Sequence, residues 1–381
     1  MINRRAFIAS SAFTLLAAPH IALARAATDR RFVFIIQRGA ADGLGTIAPI
    51  GDPAFAGVRG AFAVDAGGGA KLNSMFALHP VLGETGKLYA ANEALFVHAV
   101  ASPYRDRSHF DGQNVLETGG GAAYRVKDGW MNRLLGLLPK ADARAIAVSA
   151  TVPVALRGGN QVASYAPSAL PDASDDLLAR VGSLYQNDAQ LHPLWSQATA
   201  TRTLTGDLAA VGGRNGAATG TLAARLLAGP QGARIALIET GGWDTHSAQK
   251  ARLNANLRGL DAMIGALKTG LGADWANTMV LVATEFGRTA APNGTGGTDH
   301  GTGSAAMLLG GAVRGGRVIA DWPGLAPGAL YEARDLRPTL GLDALIANAI
   351  GAHYGLDPAR VGATLFPESG KLARIEGLLR A

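Results

Sequence analysis

The chain alternates short, unbroken apolar runs with longer amphipathic stretches, and the two patterns predict different elements. RFVFIIQ (Arg31–Gln37), ALFVHAV (94–100), AIAVS (145–149), RIALIE (234–239) and TMVLVAT (278–284) are apolar at successive positions and rich in β-branched or aromatic residues. Such runs read as strands buried on both faces. Segments 305–309 and 317–320 are further strand candidates beside a glycine-rich turn. Helical periodicity occupies 80–92, 110–117, 130–138, 248–271 and 340–354, with a short helix after Pro358. It is clearest in 248–271, where Leu253, Leu257, Leu260, Met263, Ile264 and Leu267 form one stripe. Residues 48–69, rich in Gly, Pro and Ala, read as irregular loop. Strands alternating with helices predict an α/β fold whose central sheet is mostly parallel and flanked by helices.

Residues 152–229 break this rhythm. Strand signals are weak there, and helical patterns dominate 175–188 and 191–227. No clear linker bounds the segment, so it reads as a helical insertion within a single domain spanning 27–381.

The first residues add an address. Arg4 and Arg5 lie in NRRAFI, a mildly apolar Ala/Ser-rich stretch follows, and small residues at 22–26 fit a cleavage site. Residues 1–26 therefore read as a removable twin-arginine signal peptide, and the mature protein is expected to be periplasmic or secreted. The apolar run is short for a span, which needs roughly 20 residues. The net charge is +6, and three of the arginines lie within the first 26 residues. No basic run or aromatic–basic interleaving remains to bind nucleic acid. The chain has 0 Cys, so neither a disulfide nor a thiolate ligand is available, and any metal must use oxygen and imidazole donors.

Potential ligands and catalytic groups cluster at strand ends, where open α/β sheets gather their sites. RGAADG places Asp42 after the first strand, where Asp-Gly is also a plain turn signal. RSHFDG places Ser108 and His109 at a helix start. Ser108 is either an N-cap or a nucleophile favoured by the helix terminus. GGWDTH sets Asp244 and His246 two apart, so both side chains can face one way and suit a zinc, manganese or iron centre. Structurally, Asp244 could equally cap the next helix. TEFGRT puts Glu285 beyond the strand, with Arg288 either its salt-bridge partner or a bidentate grip on an anionic substrate. NGTGGTDHGTG holds Asp299 and His300 among glycines that permit positive φ and close backbone approach. Two carboxylates about 4 Å apart repel by roughly 4 kcal/mol at an effective dielectric near 20, so converging acids call for a cation.

Together, RGAADG, RSHFDGQNVLETG, GGWDTHSAQ, TEFGRT, NGTGGTDHGTG and LLGGAVRGGRV…DWPGL resemble the domain-of-unknown-function 1501 family of exported bacterial proteins. That family is similar in fold to the alkaline phosphatase/sulfatase superfamily. The resemblance implies an alkaline-phosphatase-like fold and a site holding one or two divalent metal ions (zinc, manganese, calcium or iron). It implies Asp42, Asp244, His246, Glu285 and His300 as ligands and Ser108 or His109 at the nucleophile position; in the same site Arg288 is expected to hold the anion. Glu285-Phe286 departs from the superfamily's usual Asp-His, which bears on a second metal. The implied function is an exported metal-dependent hydrolase of phosphate or sulfate esters, small or polymeric. The alternative is a catalytically silent binding or scaffold protein of the cell envelope, working with a protein partner.

Overall fold

The computed structural model describes residues 29–140, 144–166, 175–188, 190–193, 195–196, 199 and 215–380. The expected signal peptide at 1–26 lies outside these residues, as does part of the expected insertion. Among the described residues no helix is long and apolar enough to cross a membrane.

The architecture is α/β. Eleven strands are described: β1 (Arg31–Gln37), β2 (Ile47–Ala48), β3 (Ala77–Leu78), β4 (Ala94–Ala101), β5 (Ala145–Val148), β6 (Ala163–Ser164), β7 (Ile235–Thr240), β8 (Thr278–Ala283), β9 (Ser304–Leu309), β10 (Arg317–Ile319) and β11 (Leu340–Gly341). Nine of them form the central sheet in the order β10-β4-β9-β8-β1-β7-β5-β6, with β11 also on β4. β1 runs parallel to β7 and β8 on either side. β9 is antiparallel to both β8 and β4, while the other pairings in this sheet are parallel.

The unbroken apolar runs arise because strand side chains alternate between faces and both faces are covered. Phe32, Phe34 and Ile36 of β1 pack on one side with Trp130, Leu134, Leu345 and Ile350. These partners come from the helices Trp130–Leu137 and Leu342–Tyr354. Val33 and Ile35 pack on the other side with Leu257, Leu260 and Ile264 of the helix Gln249–Leu271. Every residue of the stripe read from sequence in that helix is buried.

Two expectations are corrected. Residues 48–69 are irregular only in part: 49–54 form turns as expected, but the helices Phe55–Arg59 and Ala61–Gly67 follow and meet at Gly60. Phe55 and Arg59, four apart, bury one face, and this outweighs the glycine-rich composition. The late helix begins at Leu342, because Leu340–Gly341 is spent pairing with Val100–Ala101 at the end of β4. Within the segment expected as a helical insertion, β6 extends the sheet edge, and helices Asp175–Tyr185 and Gly216–Leu227 are described. Leu222, Leu226 and Leu227 join the same core cluster as the helix Gln249–Leu271.

Two core histidines are buried as neutral rings. His98 accepts from the Ala99 N–H at Nδ1 (2.8 Å) and donates from Nε2 to the Ile47 carbonyl (2.9 Å). His353 donates from Nε2 to the Arg31 carbonyl (3.0 Å). Burial pushes His98 down to about 4 and His353 to about 3. The unfolded chain protonates its histidines near pH 6.5 and so binds more protons than the fold as pH falls below that value. Stability should therefore fall from about pH 6.5 toward pH 4, by at most about 1.4 kcal/mol per pH unit for each histidine. Urea denaturation across this range checks it: His98→Gln should flatten the slope, and an unaltered slope would contradict the assignment. A second test concerns the turn after β1. Gly39 has φ +118°, and an added Cβ would lie 2.5 Å from the Asp244 backbone nitrogen. Gly39→Ala should cost more than about 1 kcal/mol in the same assay.

Candidate metal centre

One edge of the sheet collects the expected chemistry. β1, β4, β7 and β8 all point their carboxyl ends to it, and antiparallel β9 starts there. The turn after β1 carries Gly39 to Asp42. The loop after β4 leads to Ser108 and to His109, first residue of the helix His109–Thr118. The loop after β7 carries Asp244 and His246, and β8 runs into Glu285 and Arg288. His300 lies just ahead of β9, so the reversed strand delivers a fifth segment to the same edge.

Asp244 is the meeting point. Its Oδ1 lies 3.0 Å from His246 Nε2, 3.3 Å from His300 Nε2 and 2.8 Å from the Arg288 guanidinium. Its Oδ2 lies 3.5 Å from His109 Nε2, and the His246 and His300 Nε2 atoms are 2.9 Å apart. Ligand atoms of His109, Asp244 and His300 all fall within 4.8 Å of one another. Around a tetrahedral ion with bonds of roughly 2.0–2.1 Å, ligand atoms sit about 3.3 Å apart, close to these separations.

Each imidazole is anchored through Nδ1. His109 donates to Glu285 Oε1 (2.9 Å), His246 to Asp299 Oδ1 (3.0 Å) and His300 to the Arg107 carbonyl (2.9 Å). A ring that donates at Nδ1 presents a bare Nε2, the form that ligates metal. His109 Nε2 is buried and has no hydrogen-bond partner. Its ring stacks on Phe286, with centroids 5.1 Å apart and planes at 23°.

The acids around these rings are held ionised. Burial raises the Glu285 carboxyl, but hydrogen bonds from His109, Gln113 and the Gly39 N–H outweigh it and bring it below its ordinary value. Burial likewise opposes ionisation of Asp244, and the Arg288 guanidinium, followed by His246 and His109, brings it below its ordinary value. Hydrogen bonds from Asn293 and then His246 lower Asp299. The hydrogen bond to Glu285 raises His109, whereas burial and then the charge of His109 lower His300.

The structure thus gathers His109, Asp244 and His300 at one point, with His246 joining through Asp244 and His300. It gives the other expected residues different surroundings. Asp42 is buried, and its Oδ2 accepts from Arg59 and from Gln249 Nε2 (2.6 Å). Glu285 Oε1 is shared among Gly39 N–H, His109 and Gln113, and Oε2 accepts from Thr284. Arg288 is fully buried, donating to Asp244, Thr298 and the Gly39 carbonyl. Ser108 is the N-cap of its helix without a side-chain capping bond, and its N–H donates to the Tyr104 hydroxyl (3.1 Å). Asp299 orients His246 and not its neighbour His300. Gly297 shows how tightly the glycine-rich loop covers the site, since an added Cβ would lie 2.2 Å from the His246 carbonyl.

Sequence reasoning missed the residues behind this layer. Gln113 lies four residues after His109 and so on the same helix face, a spacing that could have been read. Gln249 bridges Asp42 to Thr298, and nothing local in sequence signals that link.

The chain is similar to several solved structures. One is the C-terminal periplasmic domain of EcEptC from Escherichia coli in complex with zinc, at 10% identity and TM-score 0.43, covering 93% of this chain and 94% of that one. The lipoteichoic acid synthase LtaP from Listeria monocytogenes aligns at 10% identity and TM-score 0.40, over 74% of this chain but only 65% of that one. The phosphonate monoester hydrolase of Agrobacterium radiobacter aligns at 11% identity and TM-score 0.36, covering 76% and 70%. No curated protein shows significant sequence similarity to the chain. The family match extends over residues 70–365 and includes all four clustered side chains, and the chain belongs to the family described as "Protein of unknown function (DUF1501)".

Proposed function

We propose that this protein is an exported hydrolase of phosphate or sulfate esters that works with one divalent cation held by His109, Asp244, His246 and His300. The observation that carries the proposal is the set of three imidazoles, each anchored at Nδ1, whose Nε2 atoms converge on one carboxylate. The buried Nε2 of His109, which makes no hydrogen bond and lies 3.5 Å from Asp244 Oδ2, fits the same reading, because a buried polar atom calls for a partner. A donor set of three nitrogens and a carboxylate suits zinc, manganese or iron better than calcium. A cation bound there would supply Lewis acidity toward an ester oxygen and lower the pKa of a bound hydroxyl or water.

The chain's own residues divide the remaining work. Glu285 fixes the tautomer of His109, and Asp299 does the same for His246. Arg288 fixes Asp244 and partly neutralises it. Asp42 supports this frame from behind, through Gln249, Thr298 and Arg288. With His109 a ligand, Ser108 becomes the nucleophile. Its hydroxyl makes no capping bond and stands at the positive end of a ten-residue helix, which favours an anion there. The leader pattern at 1–26 supports export to the periplasm or beyond.

A second reading, a metal-holding but catalytically silent envelope protein, draws on Arg288. Its guanidinium is buried against protein acceptors and does not face an open anion site. Elemental analysis and turnover of aryl phosphate and aryl sulfate esters separate the two. The hydrolase should carry about one divalent ion per chain, and His246→Ala or His300→Ala should lower its metal affinity at least about 10-fold. Chelation should abolish turnover, and zinc or manganese should restore it. Metal without turnover of any ester favours the silent reading, and absence of metal refutes both. Ser108→Ala should keep its metal while turnover falls by several orders of magnitude, and unchanged turnover would return the nucleophile's role to His109 or to water.

A further inference from the structure

We propose that Asp335 is a positioning residue for the metal centre, holding His300 in its ligating tautomer through two arginines. The inference rests on the reading that His300 is a metal ligand. Asp335 is fully buried, and no motif marks it in sequence. Its carboxylate is divided between two guanidinium groups: Oδ2 accepts from Arg107 Nε (2.9 Å) and Oδ1 from Arg334 Nε (2.9 Å). Both arginines end on His300. The Arg107 carbonyl accepts from His300 Nδ1 (2.9 Å), and Arg334 Nη2 donates to the His300 carbonyl (2.7 Å). One buried acid therefore secures the ring of His300 through one partner and its backbone through the other.

The backbone around this acid is itself fixed. Asp335 exchanges backbone hydrogen bonds with Tyr331 (2.8 and 3.0 Å) and forms a bridge with Thr289, the residue after Arg288. Arg107 shows what the arrangement costs. It sits at φ +62°, a left-handed conformation that a non-glycine residue holds only where its surroundings over-determine it, at a cost of order 1–3 kcal/mol. The ion pair to Asp335 supplies that determination. It also aims the Arg107 carbonyl, which no side chain can replace, at Nδ1 of His300. With the proton fixed at Nδ1, Nε2 keeps its lone pair free for a cation held beside Asp244, whose Oδ1 lies 3.3 Å away. The second partner of the Arg107 guanidinium, Glu332, is exposed and touches only the solvent side of this system.

The test is zinc affinity of the full chain, measured by competition with a chromophoric chelator. Asp335→Asn keeps the shape and removes the charge, and Arg107→Ala keeps the carbonyl but frees it to move. Each should weaken zinc binding about 10–100-fold. The double variant should be no worse than the weaker single variant, because both act through the same carbonyl. Glu332→Gln should bind zinc as the wild type does. In the zinc-free protein, 15N resonances of the His300 ring should show one tautomer in the wild type and a mixture in Asp335→Asn, a change that general loosening of the fold would not single out. Wild-type affinity or an unchanged tautomer in Asp335→Asn would overturn the proposal. So would additive losses in the double variant, or a loss in Glu332→Gln equal to that in Asp335→Asn. If Asp335→Asn fails to fold, Arg107→Ala decides by the same two readouts. A wild-type chain that takes up no zinc, manganese or iron would remove the metal reading itself, and this inference with it. Metal in the wild type with an unaffected Asp335→Asn removes only the inference.

Discussion

The site depends on keeping ionised acids and bare imidazole nitrogens close together inside a protein. Asp244 and Glu285 stand on opposite edges of the His109 ring, and Asp299 stands behind His246. Burial alone would raise these carboxyls, and like charges at such range would raise them further. Donors prevent this, each acid being tied to at least one N–H or O–H fixed by another element. Those same donors include the Nδ1–H groups of the imidazoles. Ionisation of the acids and exposure of the Nε2 lone pairs are therefore one constraint. Releasing either lets the rings turn or take up protons.

Strand direction makes this constraint possible. Parallel strands bring their carboxyl ends to one edge, which accounts for four of the contributing segments. His300 could not join them from a parallel β9, because the residue before a strand would then lie at the far edge. The single reversal at β9, antiparallel to both neighbours, places His300 opposite Asp244. The glycine-rich loop ahead of β9 has to fold over the Thr245–His246 backbone to reach that start. Thr298 N–H and the side chains of Asn293 and Thr295 donate to the carbonyls there, and Gly297 leaves no room for a side chain between the two segments.

Much of the frame was legible because burial writes itself into sequence. The strand read at 31–37 has the same bounds in the structure, and those at 94–100 and 278–284 shift by a single residue at one end, since a strand covered on both faces carries few polar residues in its interior, and His98 is admitted only because backbone groups satisfy its ring. Composition failed in part of 48–69, where Gly and Pro suggested loop while Phe55 and Arg59 formed a helix face. At the site, Asp244, His246 and His300 were legible from residue type and position. What each acid faces was not. Asp42 and Glu285 look alike as strand-end carboxylates, yet one is claimed by Arg59 and the other by His109, and both partners are remote in sequence. Asp335 and the carbonyl of Arg107 left no trace at all, because backbone acceptors have no residue code and a buried acid resembles an exposed one in sequence.

Charge balance connects the inner cluster to its support. Asp244, Glu285 and Asp299 contribute three negative charges around the imidazoles, and Arg288 returns one positive charge. Neutral imidazoles leave a deficit of two charges, which one divalent ion would cancel. A second divalent ion would leave the cluster positive, and it would compete with Arg288 for the Oδ1 atom that the guanidinium already holds at 2.8 Å. Asp335 does not enter this balance, because Arg107 and Arg334 compensate it locally. Its charge can serve geometry without altering the field at the cluster. A support placed one residue further in, directly on His300 as a carboxylate, would have bound the same proton but added a fourth negative charge to the cluster. Routing the support through a carbonyl fixes the ring and leaves the charge of the cluster unchanged.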